Sequence, residues 1–396
     1  MSPAELPTNP NSPATGEFQR RKIITISLAH LFHDIYSSFL APVLPLLIEK
    51  LSITYSTVGL LTIIQRTPSL LNPLVGLLVD RLVLRWLLIF APIMTAVSMS
   101  LLGLAPNLLS LGILLFIPGL GATLFHVPAP VVIKQISGTR VGKGMSYFML
   151  GGELARTLGP LIILGAISLW GLEGTYRLIP VGILATGLLY WQLHDLTTPP
   201  RPSHIERSSN SISGTLRGLL PILSILSGVL FFRALLKSSL TVFLPLYFTS
   251  RGASLWAGGI SLAVLQLSGA GGTFLAGSLS DYFGRRTVLL VAAIANPLLM
   301  ILFAASSGFW LIPILILMGF FLFASQPVLL ALVQGLSEDH PGFINGIYFG
   351  VSFIISSVAA MIIGLLADFF GMDQVYVIAA ILSLGAIPCV WALARE

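Results

Sequence analysis

Twelve apolar runs, each near bilayer length, follow one another along this chain with only short polar breaks between them. A helix that crosses a membrane needs about 20 mostly apolar residues. The runs lie near 24–48, 56–79, 86–105, 109–134, 144–169 and 175–194, then 222–248, 256–280, 287–305, 309–334, 344–368 and 374–394. Only 9% of the residues are charged and 55% are hydrophobic, whereas soluble domains carry about 25% charged residues. Such a chain has too little polar surface to face water on all sides. The expected fold class is an all-α polytopic membrane protein with twelve transmembrane helices.

The one long polar interior segment, "HDLTTPPRPSHIERSSNSISGTLR", divides the runs six and six. The expected organisation is a disordered tail (1–22), a first six-helix bundle (23–194), a linker (195–217) and a second bundle (218–396). Residues 1 to 19 are rich in Pro, Ser, Thr and Asn and lack the apolar core of a signal peptide. Lys and Arg set the orientation. With the N-terminus inside, fourteen fall on the cytoplasmic side (Arg20, Arg21, Lys22, Arg81, Arg85, Lys134, Arg140, Lys143, Arg201, Arg207, Arg217, Arg285, Arg286, Arg395). Only Lys50, Arg177 and Arg251 fall outside. That imbalance places both termini in the cytoplasm of a cell (inner) membrane. The net charge of +6 is scattered through short loops, which excludes a nucleic-acid surface. Cys389 is the sole cysteine, so no internal disulfide or cysteine metal site exists.

The two halves repeat in parallel. "APVLPLL" (41–47) matches "TVFLPLY" (241–247), and "GLLVDR" (76–81) matches "GSLSDY" (277–282). The second match's offset of 201 also pairs Gln65 with Gln266, and the first's offset of 200 sets His126 ("LFHVP") against Gln326 ("FASQP"). Shared apolar composition would match anywhere, so the coinciding polar and proline positions carry the argument. Parallel repeats around a central cavity mark one transporter architecture.

With these motifs the chain resembles the major facilitator superfamily over residues 22 to 394. "GSLSDYFGRR" fits that superfamily's loop signature through Gly277, Asp281, Gly284, Arg285 and Arg286, and the resemblance implies gating loops at the cytoplasmic side. The first copy keeps Gly76, Asp80, Arg81 and Arg85, with Val83 in place of the second glycine. Within the superfamily, "HLFHDIYSSFLAPVLPLL", "GLGATLFHVPAPVV" and "MLGGELARTLGPL" are similar to the fosmidomycin-resistance group of exporters. Gly159-Pro160 keeps only that part of the fifth-span antiporter motif.

Six ionisable residues fall deep inside the runs: Asp34, Glu153, Arg66, Arg156, Arg233 and Lys237. Each costs about 2.5–3.5 kcal/mol at the bilayer centre, so none is expected to face lipid. His30, His33, Asp34 and Ser37, at i, i+3, i+4 and i+7, share one helix side. An intramembrane acid beside two groups that titrate near neutrality is the expected proton-coupling site. The competing possibility is that His33 and Asp34 only pin the first helix to a neighbour. Glu153 is a second proton candidate, although its i, i+3 partner Arg156 equally makes a structural ion pair. Arg66, Gln65, Arg156, Arg233, Lys237, Gln266 and Gln326 are the expected substrate contacts. His126 joins them, with a structural hydrogen-bonding role beside the kinked Pro128 and Pro130 as the other possibility.

Four deep cations against two acids favour an anionic solute. The leading expectation is a secondary transporter exporting a small polar or anionic organic compound or drug against protons. Proton-coupled uptake or facilitated transport of an anionic metabolite is the alternative. His30, His33 and Asp34 as a transition-metal site fit less well, because one helix supplies all three ligands and no Cys or Met cluster joins them. Ser37 with His33 and Asp34 cannot orient as a hydrolase triad from a single stripe. No cofactor, no metal and no catalytic residue are expected, and the partners are the solute, protons and lipid around a monomer.

Overall fold

A computed structural model describes residues 18–72, 74–75, 84–138, 140–195, 212–334 and 341–393. Those residues form α-helices joined by short turns and 3-10 segments, with no strand among them. The first half holds α1 (Arg20–Ser37), α2 (Leu40–Leu51), α3 (Tyr55–Arg66), α4 (Leu84–Ser100), α5 (Leu108–His126), α6 (Pro128–Ile136), α7 (Val141–Trp170) and α8 (Ile179–Leu193). The second holds α9 (Ile212–Thr241), α10 (Leu244–Ser250), α11 (Leu255–Phe283), α12 (Arg285–Ala305) and α13 (Leu311–Gln334). It ends with α14 (Pro341–Phe370), α15 (Met372–Ser383) and α16 (Ala386–Trp391).

Among the described residues, ten helical stretches are long and apolar enough to cross a membrane. The other two expected spans differ in form. The run at 56–79 is α3 followed by a 3-10 turn over Thr67–Leu71, whose Pro68 withholds a backbone donor; it then leaves the described residues. The run at 175–194 begins as a 3-10 segment, and α8 starts only where Pro180 presets the helical backbone, leaving 15 residues. Gly76, Asp80, Arg81, most of the tail and most of the linker also lie outside the described residues.

Several runs that read as one span are broken. Between α1 and α2 the chain gives way at Ser38, whose hydroxyl donates to the Asp34 carbonyl at 2.7 Å. Pro42 and Pro45 just beyond it remove two helical donors. The repeat reproduces the break between α9 and α10, with Pro245 in the place of Pro45. A third interruption, at Val127 before Pro128, ends α5 with His126 at its last position.

Large apolar side chains face outward around the bundle, as Leu184 and Phe274 show at 74% and 82% exposure. Lipid tails are as apolar as leucine, so helix association here rests on close packing by small residues. A Cβ on Gly152 of α7 would stand 2.5 Å from the His30 ring of α1. This approach sets α7 directly against the polar stripe of the first helix.

The halves meet at the end of the molecule away from both described chain ends. There α3 packs on α14, α7 on α11, and α2 on α10. A Cβ on Gly59 would lie 2.7 Å from the Met361 Cα. Asp368, near the end of α14, receives the Tyr55 N–H and the Ser56 N–H, each at 2.8 Å. These are two orphan donors at the start of α3, where the helix dipole also favours a carboxylate. On the same side Trp256 Nε1 donates to Ser168 Oγ at 3.1 Å, and Lys50 joins the Gly103 carbonyl to Glu173, both at 2.6 Å. The Lys50 ammonium holds the Glu173 carboxyl below its usual range.

Asp368→Ala removes two charge-assisted bonds at a partly exposed site, worth together about 1–2 kcal/mol. The expected outcome is an increase of roughly 5- to 30-fold in the population open at that end. Spin labels at the start of α3 and the end of α14 read it as a longer-distance component, and an unchanged distance distribution would refute the latch.

Candidate functional site

The first-helix stripe becomes a cluster because three other helices complete it. The Asp34 side chain is 8% exposed. His33 Nδ1 lies 2.9 Å from Asp34 Oδ1, and His126 Nε2, from the end of α5, lies 3.1 Å from the same oxygen. His30 Nε2 lies 3.3 Å from Oδ2, and Arg156 Nη1, from α7, lies 3.8 Å from it. The rings are fixed from behind by stacking, His30 on Phe148 at 4.1 Å and His33 on Phe125 at 5.2 Å.

Hydrogen-bond chemistry constrains the protons. The Phe148 carbonyl can only accept, so His30 Nδ1, 2.8 Å away, carries a hydrogen. A neutral His30 would then aim the lone pair of Nε2 at a carboxylate oxygen, which no hydrogen bond permits. A hydrogen bond between the two would need a proton on Nε2 or Oδ2, which stand 3.3 Å apart. His33 Nδ1 donates to Asp34, and its Nε2 lies 3.1 Å from Thr95 Oγ1, a hydroxyl that also reaches the Ala91 carbonyl at 3.3 Å. Thr95 sits on α4 and was not singled out from the sequence, although the repeat offset pairs it with Asn296. Ser37 turns away; its hydroxyl donates to the His33 carbonyl at 3.1 Å, so it takes no part in the cluster. The His126 side chain is 38% exposed and is the cluster's contact with open space.

Arg156 Nη2 donates to Glu153 Oε1, so the i, i+3 pair on α7 exists and adjoins Asp34. The other Glu153 oxygen is buried without a partner among the described residues. Arg66 ends α3, half-buried beside Gln65. In the second half, Arg233 donates from Nε to Ser325 Oγ at 2.6 Å and from Nη2 to the Leu322 carbonyl at 3.0 Å. Lys237 lies 5.5 Å from the Phe323 ring centroid. It feels the charges of Arg66, Arg156 and Glu153 from the other half as well as that of Arg233. Among the described residues, no carboxylate stands within ion-pair distance of Arg66, Arg233 or Lys237. Gln266 is buried with an unpartnered Oε1, while Gln326 is exposed.

In the second loop copy Gly277 and Asp281 fall in the last turns of α11, and Gly284 at φ +83° makes the turn into α12. Such a backbone is strained for any other residue. Arg286 donates to the Trp391 carbonyl at 2.5 Å, which ties this turn to α16; Arg285 is also engaged. Of the first copy only Arg85 is described, with its guanidinium over the Trp86 ring at 5.2 Å.

The model of the Major Facilitator Superfamily matches residues 26–360 and 267–396. The chain belongs to the major facilitator superfamily. Members of that superfamily are transporters, so the chain is a multi-span membrane transporter and not an enzyme. It is 26% identical over 362 residues to the fosmidomycin resistance protein of Escherichia coli (strain K12), covering 91% of this chain and 89% of that one. It is 25% identical over 369 residues to the uncharacterized MFS-type transporter YfnC of Bacillus subtilis (strain 168), covering 91% and 90%. Among solved structures, an inward-facing, occupied bacterial homolog of the human lysosomal transporter Spinster superposes with a TM-score of 0.80 at 15% identity, over 94% and 96% of the two chains. A D-xylose-proton symporter superposes with a TM-score of 0.76 at 14% identity, over 96% and 99%. These structures establish the superfamily's fold for this chain.

Loss of Arg156 alone leaves Glu153 without its cation, while Asp34 keeps its three histidines. Arg156→Gln is expected to destabilise the protein by about 3 kcal/mol, the low end for a broken buried pair because the guanidinium is partly exposed. Replacing Glu153 and Arg156 together by glutamine is expected to cost less than Arg156→Gln alone. Unfolding in detergent measures both, and a double variant as unstable as the sum of the singles would show that the two are not coupled.

Proposed function

We propose that this transporter moves a small organic anion in exchange for protons, exporting it from the cytoplasm across the cell (inner) membrane. The observation that carries the proposal is the cluster of Asp34, His30, His33 and His126 joined by Arg156, together with Arg66, Arg233 and Lys237, which have no carboxylate within ion-pair distance among the described residues. Residues 23–194 and 218–396 act as the two moving bodies, and 195–217 as the linker. Gln65, Gln266 and Gln326 contribute neutral polar contacts. The excess of Lys and Arg on the side of both termini supports a cytoplasmic location for them. The main contacts between the halves, at the opposite end, are consistent with a cavity facing the cytoplasm. Similarity to a fosmidomycin resistance protein supports efflux of a drug-like anion.

Uptake together with protons is the second reading, and one feature favours it. A proton gained by the cluster adds to the positive charge of Arg66, Arg233 and Lys237, so proton and anion attract each other rather than compete.

Proteoliposomes separate the two when pH and voltage are imposed independently, with fosmidomycin as the probe. Exchange predicts accumulation when the lumen is the more acid side, whereas joint movement predicts it when the outside is. Asp34→Asn removes the coupling proton's acceptor and is expected to reduce accumulation to the equilibrium level while the protein still elutes as a folded species in detergent. Uphill accumulation by that variant would refute the role of Asp34.

A further inference from the structure

We infer that His30, Asp34 and His126 form a binding site for a borderline divalent transition ion such as Zn²⁺ or Co²⁺. The sequence argued against a metal because α1 alone seemed to supply the ligands. The structure removes that objection, since His126 arrives from the end of α5, where Pro128 interrupts the helix.

The three donors, His30 Nε2, His126 Nε2 and an Asp34 oxygen, all lie within 4.8 Å of one another. The carboxylate oxygens stand 3.3 and 3.1 Å from the two imidazole nitrogens. Ligands bound at about 2.0–2.2 Å in a tetrahedron are separated by roughly 3.3–3.5 Å, so the three donors, each imidazole now facing a different carboxylate oxygen, draw together by up to about 1.5 Å, within reach of side-chain rotation. The outer contacts of a metal site are also built. His30 Nδ1 donates to the Phe148 carbonyl at 2.8 Å, which fixes the tautomer with its lone pair on Nε2. His33 donates to Asp34 Oδ1 at 2.9 Å and is held in turn by Thr95, which orients the carboxylate. Two nitrogens and one carboxylate oxygen select zinc-like ions over Mg²⁺ or Ca²⁺, which favour oxygen shells. His126 opens the fourth position to the cavity, where water completes the shell. Arg156, with Nη1 3.8 Å from Asp34 Oδ2, opposes a nearby cation, but its Nη2 donates to Glu153, whose charge offsets it. All three ligands lie in the first half, so the ion replaces the coupling proton without tying the halves together.

Cobalt titration of the untagged full chain, stripped of metal in detergent, tests the site by ligand-field absorption. One Co²⁺ per chain is expected, with the intense visible bands of four-coordinate cobalt, displaced by one equivalent of Zn²⁺. His126→Ala should weaken binding at least tenfold, and His33→Ala, which frees the carboxylate, by about 10- to 100-fold. His194→Ala, on the exposed end of the first half, should leave it unchanged. X-ray absorption of the Zn²⁺-loaded wild type needs no variant and should show two imidazoles with oxygen in the remaining positions. An all-oxygen shell, no stoichiometric binding by the wild type, or binding undiminished in a folded His126→Ala chain would overturn the assignment. None of these readouts depends on transport, so their failure leaves the exchange proposal standing or falling by its own test.

Discussion

A carboxylate inside a lipid-embedded bundle has to be surrounded by partners, and satisfying Asp34 organises the first half of this transporter. Its partners come from α1, α5 and α7, while α4 supports one of them through Thr95. Such convergence requires helices closer than ordinary side chains allow. Gly151 and Gly152 bring α7 onto α1, where added Cβ atoms would strike the Ser27 carbonyl and the His30 ring. The break at Ser38 then turns α2 away directly after the site. Close packing, the interruptions and the charge cluster are thus one construction, because each determines where the next side chain stands.

The repeat makes the two halves comparable position by position. His33 corresponds to Arg233 at an offset of 200, and Thr95 to Asn296 at 201. Thr95 contacts His33, and Asn296 lines the same small cavity as Arg233. One scaffold therefore carries titratable chemistry on one side and a permanent guanidinium on the other. Arg233 is anchored by neutral acceptors, Ser325 Oγ and the Leu322 carbonyl, which orient the charge without cancelling it. Its charge thus remains uncancelled beside that cavity of the second half.

Much of this arrangement was legible in the chain, for identifiable reasons. Apolar length forces helices, and i, i+3 and i, i+4 spacings bring His30 to Asp34 and Glu153 to Arg156, because both are local properties of one helix. The reach of His126 to Asp34 was not legible. It depends on how far α5 extends before Pro128 and on the separation between α5 and α1, neither of which is a local property. Ser37 had the right spacing yet left the cluster, since its own helix offered a carbonyl at the break. The Phe148 carbonyl leaves no mark in a side-chain pattern, although it fixes the His30 tautomer.

Charge also limits how transport can be coupled. Coupling between two ligands is reciprocal: if a proton on the cluster strengthens anion binding, the anion strengthens proton binding equally. A proton on the cluster and an anion nearby attract each other, so electrostatics alone would carry both ligands in the same direction. Exchange therefore cannot arise from the site's charges. It has to come from which occupied states permit the halves to re-close, and that is decided where they meet. Asp368 on the amides of Tyr55 and Ser56, and Trp256 on Ser168, lie at that closure, far along the helices from the proton cluster. Under the exchange reading these contacts must sense occupancy through α3 and α7, which carry Arg66 and Arg156 at the cavity and make the closing contacts at their far ends.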